Sequence, residues 1–236
     1  MLQKLFSGKQ ETIAAPRLKN SFFRALAVSI AVLVQTAIPL PAQADNAYGN
    51  TAGRHYPELF GTNEAPSNDI TAFGKWLVML DRFEAPLHST GPASSGIAAW
   101  RSEIKSLKGL APHVQVKKVN DFLNKVAYVD DLSHYGLNGY WAATPERFFS
   151  SGGDCKDYAI AKYVSLRALG FSADQLRVAI VQDKIKNVVH AILIIYSDEG
   201  NFVLDNQDKQ VKPITAVNRY QPLFSINSTR WWLHRV

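Results

Sequence analysis

The chain has 236 residues, 47% of them hydrophobic, with 26 Lys and Arg against 20 Asp and Glu, a formal net charge of +6, and a single cysteine. Much of the positive charge lies in the first 44 residues (Lys4, Lys9, Arg17, Lys19 and Arg24 against Glu11), so the remainder carries 21 basic and 19 acidic side chains and is close to neutral. No Lys/Arg stripe interleaved with aromatics remains, which argues against a nucleic-acid partner, and one cysteine excludes an intramolecular disulfide framework.

Arg17, Lys19 and Arg24 precede an uncharged, mostly apolar stretch from Ala25 to Ile38, followed by Pro39, Pro41 and the small-residue site Ala42-Gln43-Ala44. This is the layout of a secretory signal peptide, and cleavage is expected after Ala44. The apolar run, about 14 residues, is short of the roughly 20 that span a membrane; an uncleaved N-terminal anchor is the alternative. Residues 45–68, rich in Asn, Gly, Thr and Pro without a sustained period, read as an irregular arm. Residues 69–236 are expected to form one domain.

Phe73, Trp76, Leu77, Leu80 and Phe83 follow helical spacing, which predicts a helix ending before Pro86. Trp100, Ile104 and Leu107 predict a short helix stopping near Gly109 and Pro112. Val116, Val119, Leu123, Val126 and Ala127 predict a longer one with Lys117, Lys118, Asp121, Asn124 and Lys125 on its other side. The stretch from Asp131 to Ala143 reads largely as loop, its aromatics either lining a groove or covering the core. Thr144 followed by Pro145 and Glu146 signals a capped helical turn. From Leu176 the period changes: "LRVAIVQ", "VVHAILIIYS" and "NFVLD" are rich in β-branched residues and predict consecutive antiparallel strands. The tail, with Pro213, Pro222 and "STRWWLHRV", has no clear period, although Trp231 and Trp232 are expected to pack on the domain. Helices followed by a sheet make an α+β fold.

The lone thiol, Cys155, lies in "SSGGDCKDYAIAKYVSLRALG". Asp154 is placed to cap a helix and Asp157 to complete a capping box, with Ala159, Tyr163, Leu166 and Leu169 along one face and Gly170 as the stop. At a helix start, unpaired N–H groups favour a thiolate, and Gly152 and Gly153 would leave room for substrate backbone. A cysteine nucleophile needs a base, and the base needs an acceptor that fixes its tautomer. His190, in an otherwise apolar strand, and Asp205, at the end of the next, fit those roles, since antiparallel pairing can bring them together. Each alone has a bland reading, as a buried thiol, a core histidine or a turn residue. The other histidines, His55, His88, His113, His134 and His234, show neither comparable placement nor zinc-ligand spacing.

The run "TPERFFSSGGDCKDYAIAKYVSLRALGF", then "HAILIIY", then "FVLDN", resembles the bacterial transglutaminase-like cysteine proteinases, most closely the LapG-type periplasmic proteases. The resemblance implies a papain-related transglutaminase-like core with Cys155 as nucleophile, His190 as base and acid, and Asp205 as orienting carboxylate. It also implies cleavage of a large repeat-rich adhesin near its N-terminus, commonly at a di-alanine site, with release of cells from biofilm. An inner-membrane receptor that senses cyclic di-GMP is the implied inhibitory partner. Family members typically hold Ca2+ with acids flanking the cysteine, which here are Asp154 and Asp157; Lys156 stands where an acid is expected and supplies no oxygen ligand. A transglutaminase-type acyl transferase and a catalytically silent binding module are the alternatives.

Overall fold

Helix α6, Cys155–Ala168, is the element around which the domain is organised, because every residue from Lys156 to Leu166 is buried. In the computed structural model, residues 58–136 and 143–235 are described. Around α6 gather α1 (Gly74–His88), α2 (Ser95–Leu107), α3 (Pro112–Leu123), the short α4 (Asp131–Tyr135) and α5 (Pro145–Ser151). On its other side lies a seven-stranded antiparallel sheet: β1 (Asn63–Ser67), β2 (Leu176–Asp183), β3 (Val188–Ser197), β4 (Gly200–Leu204), β5 (Lys212–Pro213), β6 (Tyr220–Ile226) and β7 (Trp231–Arg235), in spatial order β1-β7-β6-β2-β3-β4-β5. The fold is α+β, with the helices ahead of six of the seven strands, as the change of period predicts, and β1 ahead of the helices.

The helices bury their apolar stripes on α6 and on one another. Trp76 meets Tyr163 edge-on, and its indole N–H donates to the Asn227 carbonyl; the Trp100 N–H donates to Ser165 Oγ. Such bonds let large aromatics be buried without stranding a donor. In α1 the buried set is Trp76, Met79, Leu80 and Phe83, whereas Leu77, expected on that face, is exposed. The helix also runs past Pro86 to His88: the proline falls in the last turn, and its carbonyl accepts from Arg101 Nε at 2.6 Å. Helix α3 stops at Leu123, so Val126 and Ala127 belong to the following segment.

Within the segment read as irregular, Asn63–Ser67 is the edge strand β1, paired antiparallel with β7. A strand that contains Pro66 and no β-branched residue is tolerated at an edge, where one row of N–H groups has no neighbour to serve. The aromatic tail becomes β6 and β7, with Trp232 buried under the Arg177 guanidinium. The expected loop before Thr144 contains α4 and residues 137–142, the latter outside the described residues, as are residues 1–57, which include the expected leader. Phe148 and Phe149 of α5 pack with Tyr158 and Trp100, covering the core. Among the described residues no helix is long and apolar enough to cross a membrane.

Candidate active site

The cysteine is set by the start of α6. Asp154 caps the helix by accepting from the Lys156 N–H at 3.1 Å, and Asp157 returns a carboxylate to the Asp154 N–H at 3.0 Å, the reciprocal capping box the spacing predicts. The two glycines ahead of it serve packing instead of substrate access, which corrects the reading of them as room for substrate. Gly152 has φ +89°, and a Cβ there would lie 2.5 Å from the Ala127 carbonyl oxygen; a Cβ on Gly153 would lie 2.6 Å from Asp157 Oδ2. Gly153 instead bonds the 127–129 segment through its own backbone, donating to Ala127 O at 3.2 Å and accepting from the Val129 N–H at 3.0 Å.

His190 lies on β3 and Asp205 just past the end of β4. The β3–β4 register, with Leu193 opposite Leu204, carries the imidazole and the carboxylate together: His190 Nε2 is 2.8 Å from Asp205 Oδ1. Asp205 Oδ1 also accepts from the Gln207 N–H at 2.9 Å, and Oδ2 from the Tyr220 hydroxyl at 2.5 Å. Asn124, at the end of α3, holds the Asp205 carbonyl at 2.9 Å. Burial opposes the charge on Asp205, but the bonds from His190, Tyr220 and the Gln207 N–H outweigh it and hold the carboxyl below its ordinary range. Because an ionised carboxylate only accepts, the neutral ring must carry its proton on Nε2, leaving Nδ1 as the proton acceptor. The Gln207 side-chain amide stands 3.2 Å from that Nδ1.

Cys155 lies against β3, near enough to the backbone N–H of Ala191, the residue after His190, for that donor to favour the thiolate. The electrostatics differ from the expectation of a helix-stabilised thiolate. Burial first, then the charge of Asp154, pushes the Cys155 thiol up to about 12 against the help of the Ala191 N–H. Cys155 thus waits as a thiol and needs a base to take its proton.

A second polar cluster lies beside the thiol. Carboxylate oxygens of Asp131, Asp154 and Asp157 lie within 4.8 Å of one another, close enough to hold a cation. Between them sits Lys156, 4% exposed, its Nζ 2.7 Å from Asp131 Oδ2, 2.8 Å from Asp154 Oδ1 and 3.8 Å from Asp157 Oδ1. Burial opposes the ammonium charge, but Asp157 and Asp154 outweigh it and hold Lys156 well above the ordinary lysine range. Of the expected metal ligands, Asp154 and Asp157 do converge; Asp131 joins them, and the residues as arranged do not fit Ca2+. That ion takes six to eight oxygens at roughly 2.3–2.6 Å, whereas here a tethered ammonium already engages the converging oxygens.

Gln207, Tyr220 and Asp131 escape the sequence reading. Gln207 follows the candidate acid by two residues and could have been noticed as a polar neighbour. Tyr220 and Asp131 arrive from distant elements, with no spacing to signal them.

The sequence profile of the bacterial transglutaminase-like cysteine proteinases (BTLCP) matches residues 102–234, which span α6, His190 and Asp205. The chain belongs to this family. A solved structure of Legionella pneumophila LapG, EGTA-treated, is 30% identical, covering 66% of this chain and 86% of that one with a TM-score of 0.55. The calcium-bound form of the same protein is 29% identical over 65% of this chain and 87% of that one, also at 0.55. A third LapG structure is 31% identical, with 65% and 87% covered, at 0.54. A search of curated proteins gave no match. The BTLCP chain described here is therefore a LapG-like cysteine proteinase, and it holds one cysteine, Cys155.

Proposed function

We propose that this BTLCP protein is an exported cysteine endopeptidase that cleaves the N-terminal region of a large repeat-rich surface adhesin at a di-alanine site, releasing cells from biofilm. Family membership and the likeness to LapG support the protease chemistry. The layout of residues 1–44 supports export, with cleavage after Ala44 and action in the periplasm. The adhesin substrate, and control by an inner-membrane receptor for cyclic di-GMP, rest on the LapG resemblance.

The observation that carries the chemistry is the 2.8 Å approach of His190 Nε2 to Asp205 Oδ1: an ionised carboxylate only accepts, which assigns the donor to Nε2 and leaves Nδ1 as the proton acceptor. In the proposed reaction Cys155 Sγ attacks the scissile carbonyl carbon as His190 Nδ1 takes the thiol proton, and the carbonyl π electrons pass to oxygen. First-turn N–H groups have no partner inside a helix, and that of Cys155 adjoins the reacting thiol, where it can stabilise the oxyanion. Collapse breaks the C–N bond, His190 returns its proton to the leaving amine, and a thioester remains on Cys155. Water, deprotonated by the same nitrogen, then releases the acid and restores the thiol. No step is assigned to calcium. Asp205 and Tyr220 hold the imidazole in place throughout.

Acyl transfer to a lysine amine would use the same thioester, so the products decide between the two reactions. Incubating the protein with the N-terminal fragment of a giant repeat-rich adhesin from the same genome is expected to give two fragments split at an Ala-Ala bond by mass spectrometry, and none with Cys155→Ala. A cross-linked product with loss of ammonia would reassign the activity to acyl transfer. Intact fragment with the wild-type protein would overturn the adhesin reading.

A further inference from the structure

We infer that the Lys156 ammonium is a built-in replacement for a divalent cation, tying Asp131, Asp154 and Asp157 together so that the start of the catalytic helix is ordered without calcium. The three carboxylates come from two elements: Asp131 opens α4, Asp154 caps α6 and Asp157 lies in the first turn of α6. Asp131 and Asp157 are buried, so their mutual repulsion is poorly screened and needs a cation among them. The observed cation is Lys156 Nζ, within hydrogen-bonding distance of Asp131 and Asp154 and at ion-pair distance from Asp157. It is carried one residue from the nucleophile, and the Asp154 cap accepts the Lys156 backbone N–H as well, so both ends of the lysine bind the same network.

A metal entering this space would have to displace the ammonium from the oxygens it needs. The displaced lysine, almost wholly enclosed, would lose its hydrogen bond to Asp131 and its ion pair with Asp154. The solved relative exists in calcium-bound and EGTA-treated forms, so a fold-mate does take the ion; this chain differs in carrying its own charge. Charge arithmetic makes the idea testable. The wild-type cluster, three carboxylates and one ammonium, has a formal charge of −2. Lys156→Glu takes it to −4, and one Ca2+ returns it to −2, while the new carboxylate also adds oxygen ligands.

The test is thermal unfolding of the full chain in 2 mM EGTA and in 2 mM CaCl2, with MgCl2 as control, a readout independent of whether any substrate is cleaved. The wild-type protein is expected to melt at the same temperature in all three. Lys156→Glu should melt lower in EGTA and regain about 5 °C or more with calcium but not magnesium. Lys156→Gln, which leaves three carboxylates and no cation, covers the case in which the glutamate variant fails to fold, and should show a smaller calcium-specific gain. A lysine that merely filled space would give variants indifferent to calcium, which would overturn the inference. So would a calcium-dependent rise in the wild-type melting temperature that vanishes in Asp154→Asn. Failure of the protease reading would leave all these melting curves unchanged.

Discussion

Two lysines on one helix, six residues apart, meet burial in opposite ways. Lys156, 4% exposed in the first turn of α6, is surrounded by three carboxylates and is held well above the ordinary lysine range. Lys162, 1% exposed and less than two turns further on, finds no hydrogen-bond partner for its Nζ among the described residues, and burial pushes it down to about 7 against the charge of Asp205. The same side chain on the same helix is thus a structural tie in one place and an unpaid desolvation cost in the other. Burial alone says little about what a charged residue contributes; its partners decide the sign.

Removing each lysine should therefore change stability in opposite directions. Lys156→Ala leaves buried carboxylates without their cation and should lower the unfolding free energy by about 3–5 kcal/mol in urea melts at pH 7. Because the Asp157 carboxyl is already pushed up to about 7, first by burial and then by Asp154, it recovers part of that loss by protonating, so the deficit should be smaller at pH 6 than at pH 8. Lys162→Met, similar in length but without the amine, should raise stability by about 1–3 kcal/mol under the same conditions. Equal losses from both changes would erase the distinction between the two turns.

Per pH unit, the smallest effect lies in the pH dependence. The folded pKa of Lys162, about 7, lies below the unfolded value near 10.4, so between them the unfolded chain binds more protons and stability rises with pH. That contribution is fully present above the unfolded pKa and is lost as pH falls through 7. Subtracting the Lys162→Met curve from the wild-type curve should isolate it, with a slope of at most about 1.4 kcal/mol per pH unit between pH 7 and 10. A flat difference would mean that Lys162 finds a partner.

The helix periods, the three central strands, the capping box that sets Cys155 at a helix start and the meeting of His190 with Asp205 are legible because each is written locally or across one short turn. The β3–β4 register needs only a tight connection at Asp198 to Gly200, so the His190–Asp205 meeting follows from adjacent strands. What escaped depends on distant partners. Strand β1 exists because β7, from the far end of the chain, supplies its hydrogen bonds, and no β-propensity in Asn63–Ser67 announces it. Gly152 and Gly153 read as open space beside a nucleophile, but Ala127 and Val129 fill it at Gly152, and the Asp157 and Phe148 side chains fill it at Gly153. The stripe Ala159, Tyr163, Leu166 and Leu169 reads as a one-sided helix, whereas α6 is enclosed by helices and sheet together, and so Lys156 and Lys162 are both inside. Helix-start electrostatics predict an acidic thiol; burial, and then the neighbouring Asp154 charge, reverse the sign.

The proposed chemistry requires Cys155 to form the covalent intermediate as His190 takes its proton. Its most direct test is the intact mass of the protein, acid-quenched within the first turnover after mixing with the adhesin N-terminal fragment. A thioester adduct on Cys155 bearing the N-terminal part of the substrate is predicted, present with the wild-type protein, strongly reduced with His190→Ala and absent with Cys155→Ala. Cleavage that persists in Cys155→Ala would contradict it.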